Sequence, residues 1–298
     1  MAVESVTLAA FIEKHRLPAA YTTSARQHFL PLIEGLIERL HSTHGKPRII
    51  GINGAQGTGK STLADLIADT VTLAGDRRVA VISIDDLYHT RETREGLAAE
   101  VHPLLRTRGV PGTHDVTMGC ELLSTLTVLA AGQSCLIPRF DKSVDDRAEE
   151  SDWDRVEGPI DLIILEGWCV GSTACDNASL VTAINTLEAE ADPDGEWRRF
   201  ANEQLRHRYP ALFEQLDELW FMRAPSFDAV ARWRLEQEHK LKARVGGSGK
   251  GIMSDAAVAR FIQHYERITR HNLETLPEIA DVVIELAEDH SAVSSVGY

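Results

Sequence analysis

The segment GAQGTGKS, Gly54 to Ser61, constrains the fold of this chain more than any other feature. It fits the pattern GxxxxGK[ST] in full, and it lies between RIIGI, a β-rich run, and STLADLIADTVTLAG, a helical pattern. Glycines in such a loop let the backbone turn and direct its N–H groups at phosphate oxygens, and the N-terminus of the following helix favours negative charge. The segment therefore predicts a strand, a phosphate-binding loop and a helix.

The loop pattern also predicts which side chains contact a nucleotide. Lys60 is expected to neutralise the β and γ phosphates, Ser61 to offer its hydroxyl to Mg²⁺, and Thr62 to lie beside it in the first helical turn. ATP and Mg²⁺ are the predicted cofactors. The residues predicted to bind the nucleotide are Gly54, Ala55, Gln56, Gly57, Thr58, Gly59, Lys60, Ser61 and Thr62.

Strand-like and helical patterns alternate along the rest of the chain. The β-rich runs are RRVAVISID, SCLIPRF, IDLIILEGW, LDELWFMR and ADVVIEL. Their alternation with helical stretches predicts an α/β fold of the P-loop NTPase type, a mainly parallel sheet with helices on both faces. Residues 1–46 are interpreted as an N-terminal helical extension and 47–298 as the phosphate-loop domain.

Three stretches have the composition of loops. Residues 90–115 and 171–195 are rich in turn formers or small polar residues, and we expect both to run over the surface and shape a substrate pocket. The run KARVGGSGKG, Lys242 to Gly251, combines flexible glycines with four cations. It is either a segment that closes over a polyanion or a solvated linker.

Charge argues against nucleic acid as a partner. The formal net charge is −14, which repels a phosphate backbone. Binding of a small anion depends instead on the local field of a cleft, so the net charge does not exclude an anionic substrate.

The sequence also predicts a cytoplasmic location and no membrane span. Acidic Glu4 stands where a signal peptide carries positive charge, and the longest apolar runs, such as Leu162 to Leu165, are far below the roughly 20 residues of a membrane helix. The four cysteines form no CxxC pair, which favours free thiols in a reducing compartment.

Carboxylates follow two of the predicted strands. SIDDLY places Asp85 and Asp86 at the carboxyl edge of the sheet, where ligands bind in open α/β folds, and a carboxylate there can accept the proton of an attacking hydroxyl. Glu166 ends the run LIILEGW and is predicted to belong to the Mg²⁺ shell. The alternative is that these groups cap helices or are solvated charges at strand ends.

Two predicted loops, RTRGVPGTHD and PRFDKSVDDR, concentrate cations and carboxylates. Arginine grips carboxylate or phosphate with two parallel hydrogen bonds, so Arg108 and Arg139, assisted by Lys142, are predicted to hold a small anionic substrate. His114 is a further predicted contact. The alternative is a salt-bridged surface, with a structural role for the histidine.

Taken together, the motifs GINGAQGTGKSTL, SIDDLY, RGVPGTHD, PRFDKS and LEGW, in that order, resemble D-glycerate 3-kinase of the plant type and its bacterial and fungal relatives. That family is related to the pantothenate, uridine and phosphoribulo kinases. The resemblance covers most of the chain from Arg48 onward. It implies that Lys60, Asp85 and Glu166 are catalytic, with Asp85 at the position of the base and with Ser61 and Glu166 holding Mg²⁺.

The resemblance extends to the acceptor site and the lid. RWRLEQEHKL resembles the start of the mobile lid in these kinases, which implies a lid around 232–255 and implies that Arg232 or Arg234 reaches the transferred phosphoryl group. RGVPGTHD and PRFDKS resemble the acceptor-binding loops. The residues predicted to bind the acceptor are Asp86, Tyr88, Arg108, His114, Arg139, Asp141 and Lys142.

The function predicted from these features is ATP-dependent phosphorylation of a hydroxyl on a small hydroxy acid, with D-glycerate to 3-phosphoglycerate as the first choice. One alternative is a kinase for another small acceptor, pantothenate-like or nucleoside-like. The other is a nucleotide-binding regulator without small-molecule kinase activity. Pairing of Asp85 with two basic loops favours a kinase, because a switch protein needs no acceptor base. The oligomeric state stays open.

Overall fold

A computed structural model describes residues 2–42, 45–244 and 253–297 of the chain. Residues 245–252 of the predicted lid lie outside the described residues. The strands are β1 (Arg48–Gly54), β2 (Val79–Ser83), β3 (Ser134–Ile137), β4 (Phe140–Asp141), β5 (Asp146–Arg147), β6 (Asp154–Glu157), β7 (Leu162–Gly167), β8 (Glu218–Arg223), β9 (Val282–Leu286) and β10 (Ala292–Val296).

The helices alternate with these strands as the sequence predicts. They are α1 (Ala2–His15), α2 (Tyr21–Ser24), α3 (Leu30–Ser42), α4 (Lys60–Gly75), α5 (Arg91–Glu100), α6 (Val116–Thr127), α7 (Thr186–Ala191), α8 (Glu196–His207), α9 (Pro210–Phe213), α10 (Phe227–Arg244) and α11 (Asp255–Ile279). A π-helical turn (Ala25–Phe29) joins α2 to α3, and short 3₁₀ turns cover Ile84–Leu87, Pro103–Arg106, Glu150–Asp152 and Asn177–Leu180. No helix in the described ranges combines the length and the hydropathy that a bilayer span requires.

The central sheet has six strands in the order β10–β9–β8–β1–β7–β2. All neighbours are parallel except β9 and β10, which are antiparallel. Strands β1 and β7 are buried along almost their whole length, which is why both read as continuous apolar runs. Helix α4 packs against β1, β2 and β7, and α11 packs against β8. The predicted α/β fold with a mainly parallel sheet is confirmed.

Three details differ from the sequence prediction. Residues 90–115 are not an irregular loop throughout, because α5 begins where the Thr90 hydroxyl accepts a hydrogen bond from the N–H of Thr93, 3.3 Å away. The run SCLIPRF does not join the central sheet: β3 pairs antiparallel with β6 in a separate ribbon and ends before Pro138, which has no N–H for a ladder. Strand β10, which follows the predicted strand ADVVIEL, is not among the strands that the sequence pattern predicts.

The N-terminal helices share the core of the sheet. Leu8, Phe11 and Ile33 belong to the same hydrophobic cluster as the strands β1 and β7. The buried carboxylate of Glu218, at the start of β8, accepts hydrogen bonds from Arg39 Nε of α3 at 2.9 Å and from Arg48 Nε of β1 at 2.6 Å. The helices before the predicted boundary at residues 46 and 47 and the sheet after it therefore share one hydrophobic core.

Candidate active site

The phosphate loop joins β1 to α4 and needs its glycines for geometry. Gly57 and Gly59 have φ of +85° and +87°, a region that L side chains rarely adopt. A Cβ on Gly54 would come within 2.5 Å of Thr58 Oγ1, which donates to the Ala55 carbonyl at 2.8 Å. The loop therefore folds as the pattern GxxxxGKS predicts, with α4 beginning at Lys60 directly after it.

The turn between β9 and β10 contacts the phosphate loop. His290 Nδ1 lies 3.0 Å from the Gly57 carbonyl oxygen, and the imidazole stacks on Trp233 of α10 with 4.4 Å between ring centroids. Trp233 Nε1 in turn donates to the carbonyl of Glu288. Sequence reasoning missed His290 and Trp233, since their roles depend on contacts between segments far apart in the chain.

Lys60, Ser61 and Glu166 meet where β7 ends beside α4. Ser61 Oγ donates to Glu166 Oε1 at 3.0 Å, and Lys60 Nζ lies 4.0 Å from Oε2. Glu166 is buried, and burial raises the pKa of its carboxyl against the opposing charge of Lys60. Oε2 has no hydrogen-bond partner among the described residues.

This arrangement fits Mg²⁺. Mg²⁺ in such sites is held by one or two protein oxygens, by phosphates and by water, so a serine hydroxyl with one unsatisfied carboxylate oxygen is a suitable donor set. Ser61 and Glu166 are the residues that would hold the ion.

Asp85 stands at the carboxyl end of β2 and is the centre of a charged cluster. Its Oδ1 accepts from the Tyr88 hydroxyl at 3.0 Å, and its Oδ2 accepts from Lys142 Nζ at 2.8 Å. Burial alone would raise the pKa of this carboxyl, but the charges of Lys142 and Lys60 outweigh it and lower the pKa to about 2. Asp85 is therefore a carboxylate at neutral pH, beside both the phosphate loop and a basic loop.

Asp86 has a different environment. It accepts from the Phe140 N–H at 3.0 Å and from Arg139 NH1 at 2.6 Å, and Arg139 Nε also donates to Asp154 at 2.9 Å. Burial raises the pKa of Asp86, although Phe140 and Arg139 oppose the shift. Asp86 and Arg139, both predicted to contact the substrate, thus pair with each other. Together they attach the segment PRFDKS to the end of β2.

The Arg108 side chain is turned toward the same segment. It pairs with Asp145, and its guanidinium lies 5.4 Å from the centre of the Phe140 ring. Arg94 of α5, almost fully buried, donates to Asp145 Oδ2 at 3.1 Å and to the Arg106 carbonyl at 2.7 Å. Sequence reasoning misses Arg94, because residues 90–115 have the composition of an irregular loop, and it does not single out Asp145 within the loop PRFDKSVDDR.

The remaining predicted acceptor contacts divide into two groups. The rings of His114 and Tyr88 are buried and stacked, with 4.5 Å between centroids. Burial lowers the pKa of His114 to about 3, so the imidazole is neutral at neutral pH. Asp141, by contrast, is exposed, and its carboxylate accepts hydrogen bonds from Ser143 within its own turn.

The two predicted lid arginines point to different neighbours. Arg232 is exposed and pairs with Glu288 in the C-terminal turn. Arg234 is mostly buried and pairs with Glu238 one helical turn on, at 2.8 Å.

The charges of Arg234 and Asp85 both act on the Tyr265 hydroxyl. Burial raises the pKa of the Tyr265 hydroxyl and the Asp85 charge raises it further, whereas Arg108 and Arg234 lower it. Arg234 thus shares a neighbour with the residues around Asp85.

Comparison with family models gives one partial match. A family described as methylmalonyl Co-A mutase-associated GTPase MeaB matches residues 20–90. This stretch contains the phosphate loop and SIDDLY but is less than half of the chain.

Whole-chain comparisons give longer matches. An uncharacterized kinase of Schizosaccharomyces pombe is 37% identical over 237 residues, which are 77% of this chain and 82% of that protein. The chloroplastic D-glycerate 3-kinase of Arabidopsis thaliana is 32% identical over 237 residues, 77% of this chain but 48% of that protein, so the chain spans about half the length of the plant relative. The structure of D-glycerate 3-kinase from Cryptococcus neoformans var. grubii matches with a TM-score of 0.72 at 25% identity, covering 94% of this chain and 99% of that one.

Proposed function

We propose that this chain, which belongs to the D-glycerate 3-kinase family of P-loop kinases, transfers the γ-phosphoryl group of ATP to a hydroxyl of a small hydroxy acid, D-glycerate first among them. The observation that carries the proposal is the position of Asp85. Its carboxylate lies in the field of Lys60 and is paired with Lys142, so an acceptor hydroxyl at Asp85 is next to both the phosphates and a cation for its own carboxylate.

The proposed reaction is an in-line transfer. The acceptor oxygen forms a bond to the γ-phosphorus, the bond to the bridging oxygen breaks with its electron pair remaining on ADP, and the hydroxyl proton passes to Asp85. A carboxylate with a pKa of about 2 is a weak base, so its main contribution is to orient the hydroxyl. Positioning and charge neutralisation supply most of the catalysis in such transfers.

The other residues are assigned roles from their contacts. Lys60 neutralises the β and γ phosphates, and Ser61 and Glu166 would hold Mg²⁺, which would neutralise charge on the phosphate oxygens. Lys142 and Arg108 face the acceptor carboxylate. Arg234 is the lid cation proposed to approach the transferred group, because it shares the Tyr265 environment with Arg108.

A cytoplasmic location is part of the proposal. All four cysteines are free thiols, two of them buried, which is typical of proteins kept in a reducing compartment.

The test is ADP formation from ATP and Mg²⁺ with a panel of D-glycerate, L-glycerate, pantothenate, uridine and ribulose 5-phosphate. We expect turnover with D-glycerate and a product phosphorylated at the 3-hydroxyl. The Lys60→Ala variant, purified in the same way, controls for contaminating kinases. Turnover with a different acceptor only would show that D-glycerate is not the substrate and would keep the kinase assignment. ATP binding with no turnover of any panel member would contradict the kinase assignment.

A further inference from the structure

One ring nitrogen of His114 is engaged and the other is not. Nδ1 lies 2.5 Å from the Tyr209 hydroxyl oxygen, whereas Nε2 is buried and has no hydrogen-bond partner among the described residues. His114 as a whole is only 3% exposed. A buried polar atom without a partner is costly, and a bound ligand or an ordered water that completes its bonding is one explanation for such an atom in a native protein.

The contacts of Tyr209 determine where the imidazole proton lies. The Gly112 N–H donates to the Tyr209 hydroxyl oxygen at 3.0 Å, so that oxygen already acts as an acceptor. Its single hydrogen is then available for the His114 Nδ1 lone pair, and a neutral imidazole that accepts at Nδ1 carries its proton on Nε2. Burial keeps the ring neutral, in agreement with this assignment.

Tyr88 connects the His114 ring to the proposed acceptor site. The His114 ring stacks on Tyr88 at an interplanar angle of 19°, and the Tyr88 hydroxyl donates to Asp85 Oδ1. His114 and Asp85 are also close enough that the charge of each shifts the pKa of the other.

We infer that the Nε2–H of His114 donates a hydrogen bond to the 2-hydroxyl oxygen of the acceptor, and that Tyr209 is the positioning residue that fixes this tautomer. The inference rests on the proposed function. Lys142 and Arg108 supply the positive charge that a carboxylate requires, whereas a neutral donor matches a neutral hydroxyl. An analogue that lacks the 2-hydroxyl leaves the buried N–H unpaired, and sites built this way discriminate strongly against such analogues.

The substrate contact is tested with D-glycerate and 3-hydroxypropionate, which differ only at the 2-position. We expect the wild-type kcat/KM to favour D-glycerate by at least about 100-fold. His114→Ala should lose most of that preference by lowering kcat/KM far more for D-glycerate than for 3-hydroxypropionate, and His114→Gln, which keeps an N–H donor, should recover part of it. An unchanged preference in His114→Ala overturns the contact.

The tautomer is tested independently of turnover by ¹⁵N–¹H NMR of the histidine rings of the wild-type protein, with the His114 signals assigned by their absence in His114→Gln. We expect a neutral ring protonated at Nε2 from about pH 5 to pH 8. Tyr209→Phe should mix the two tautomers, whereas Tyr21→Phe, which removes a buried hydroxyl beside Phe11 of α1, should leave the His114 signals unchanged. A proton on Nδ1, or an imidazolium, in the wild type overturns the inference.

The two tests separate this inference from the function on which it rests. If the wild type shows the Nε2–H signal but His114→Ala keeps the preference for D-glycerate, the 2-hydroxyl contact is wrong and the kinase proposal stands. Absence of turnover with every acid of the panel removes both.

Discussion

Lys142 Nζ lies 2.8 Å from Asp85 Oδ2, an ion pair between two segments 57 residues apart in the sequence. Lys142 belongs to the turn between β4 and β5, and that turn is attached to β2 through Asp86 and Arg139. The two neighbouring aspartates therefore have different roles. Asp86 positions the segment PRFDKS, and Asp85 forms an ion pair with Lys142 of that segment.

The pair makes the charge of Asp85 depend on Lys142. Burial alone would raise the pKa of Asp85, and the charges of Lys142 and Lys60 lower it to about 2. The wild-type enzyme therefore keeps the carboxylate form from neutral pH down to far below the ordinary aspartate pKa of about 3.9. In Lys142→Ala the burial remains and one cation is lost, so we expect an acid limb in the pH profile of kcat/KM at pH above about 4.

Lys142→Arg is the control for this prediction. It keeps the positive charge beside Asp85, so its pH profile of kcat/KM should match that of the wild type. A Lys142→Ala profile that superimposes on the wild type would show that Lys142 does not govern Asp85.

Lys60 is expected to serve both nucleotide binding and transfer. Loss of a hydrogen bond to a charged group costs about 1.5–3 kcal/mol, so Lys60→Ala should weaken ATP binding by roughly 10- to 100-fold and also lower kcat. Calorimetric titration with ATP and steady-state kinetics measure the two effects. Lys14→Ala removes a lysine paired with Asp69 on the outer side of α4 and should change neither.

The lid arginines provide a matched pair. Arg234 is mostly buried and, like Arg108, lowers the pKa of the Tyr265 hydroxyl, whereas Arg232 is exposed and pairs with Glu288. We expect Arg234→Ala to lower kcat by at least about tenfold, as for a lost contact to a charged group, and Arg232→Ala to change it by less than about threefold. The reverse order in single-turnover rates would assign the phosphoryl contact to Arg232.

The contact of Glu218 with two arginines predicts that the N-terminal helices unfold together with the sheet. Its side chain is about 1% exposed and accepts from Arg39 and Arg48. Removing one member of such a buried group typically costs about 3–5 kcal/mol, so Glu218→Ala should lower the free energy of unfolding by that amount in a urea titration.

Glu285→Ala is the matched control in the same sheet, since Glu285 forms a partly exposed pair with Arg223 that should contribute less than about 1 kcal/mol. Two separate unfolding transitions in the wild type would contradict a single cooperative unit.

The sequence predicts best the parts of the site that are made by neighbouring residues. The phosphate loop, the start of α4 and the strand-end positions of Asp85 and Glu166 follow from glycine geometry and from the rule that parallel strands end at one edge. The continuous apolar runs of β1 and β7 likewise identify buried strands without further information.

The parts that sequence reasoning missed depend on distant partners. Arg94 lies in a polar stretch that resembles a loop, and only the fold shows that its guanidinium is buried against Asp145. His290 gains its role from Gly57, more than 200 residues earlier, and Tyr209 from His114. No local pattern encodes such pairs, because hydrogen bonds between segments are set by how helices and loops pack on the sheet.

The most direct measurement of the central claim compares ATP binding with turnover in Asp85→Asn. The substitution keeps the shape of the side chain and removes the charge that orients the acceptor hydroxyl. We predict that the dissociation constant for ATP stays within about threefold of the wild type while kcat with D-glycerate falls by roughly 100-fold or more. Equal losses of ATP affinity and turnover would contradict the account, because Asp85 would then belong to the nucleotide site and not to the acceptor site.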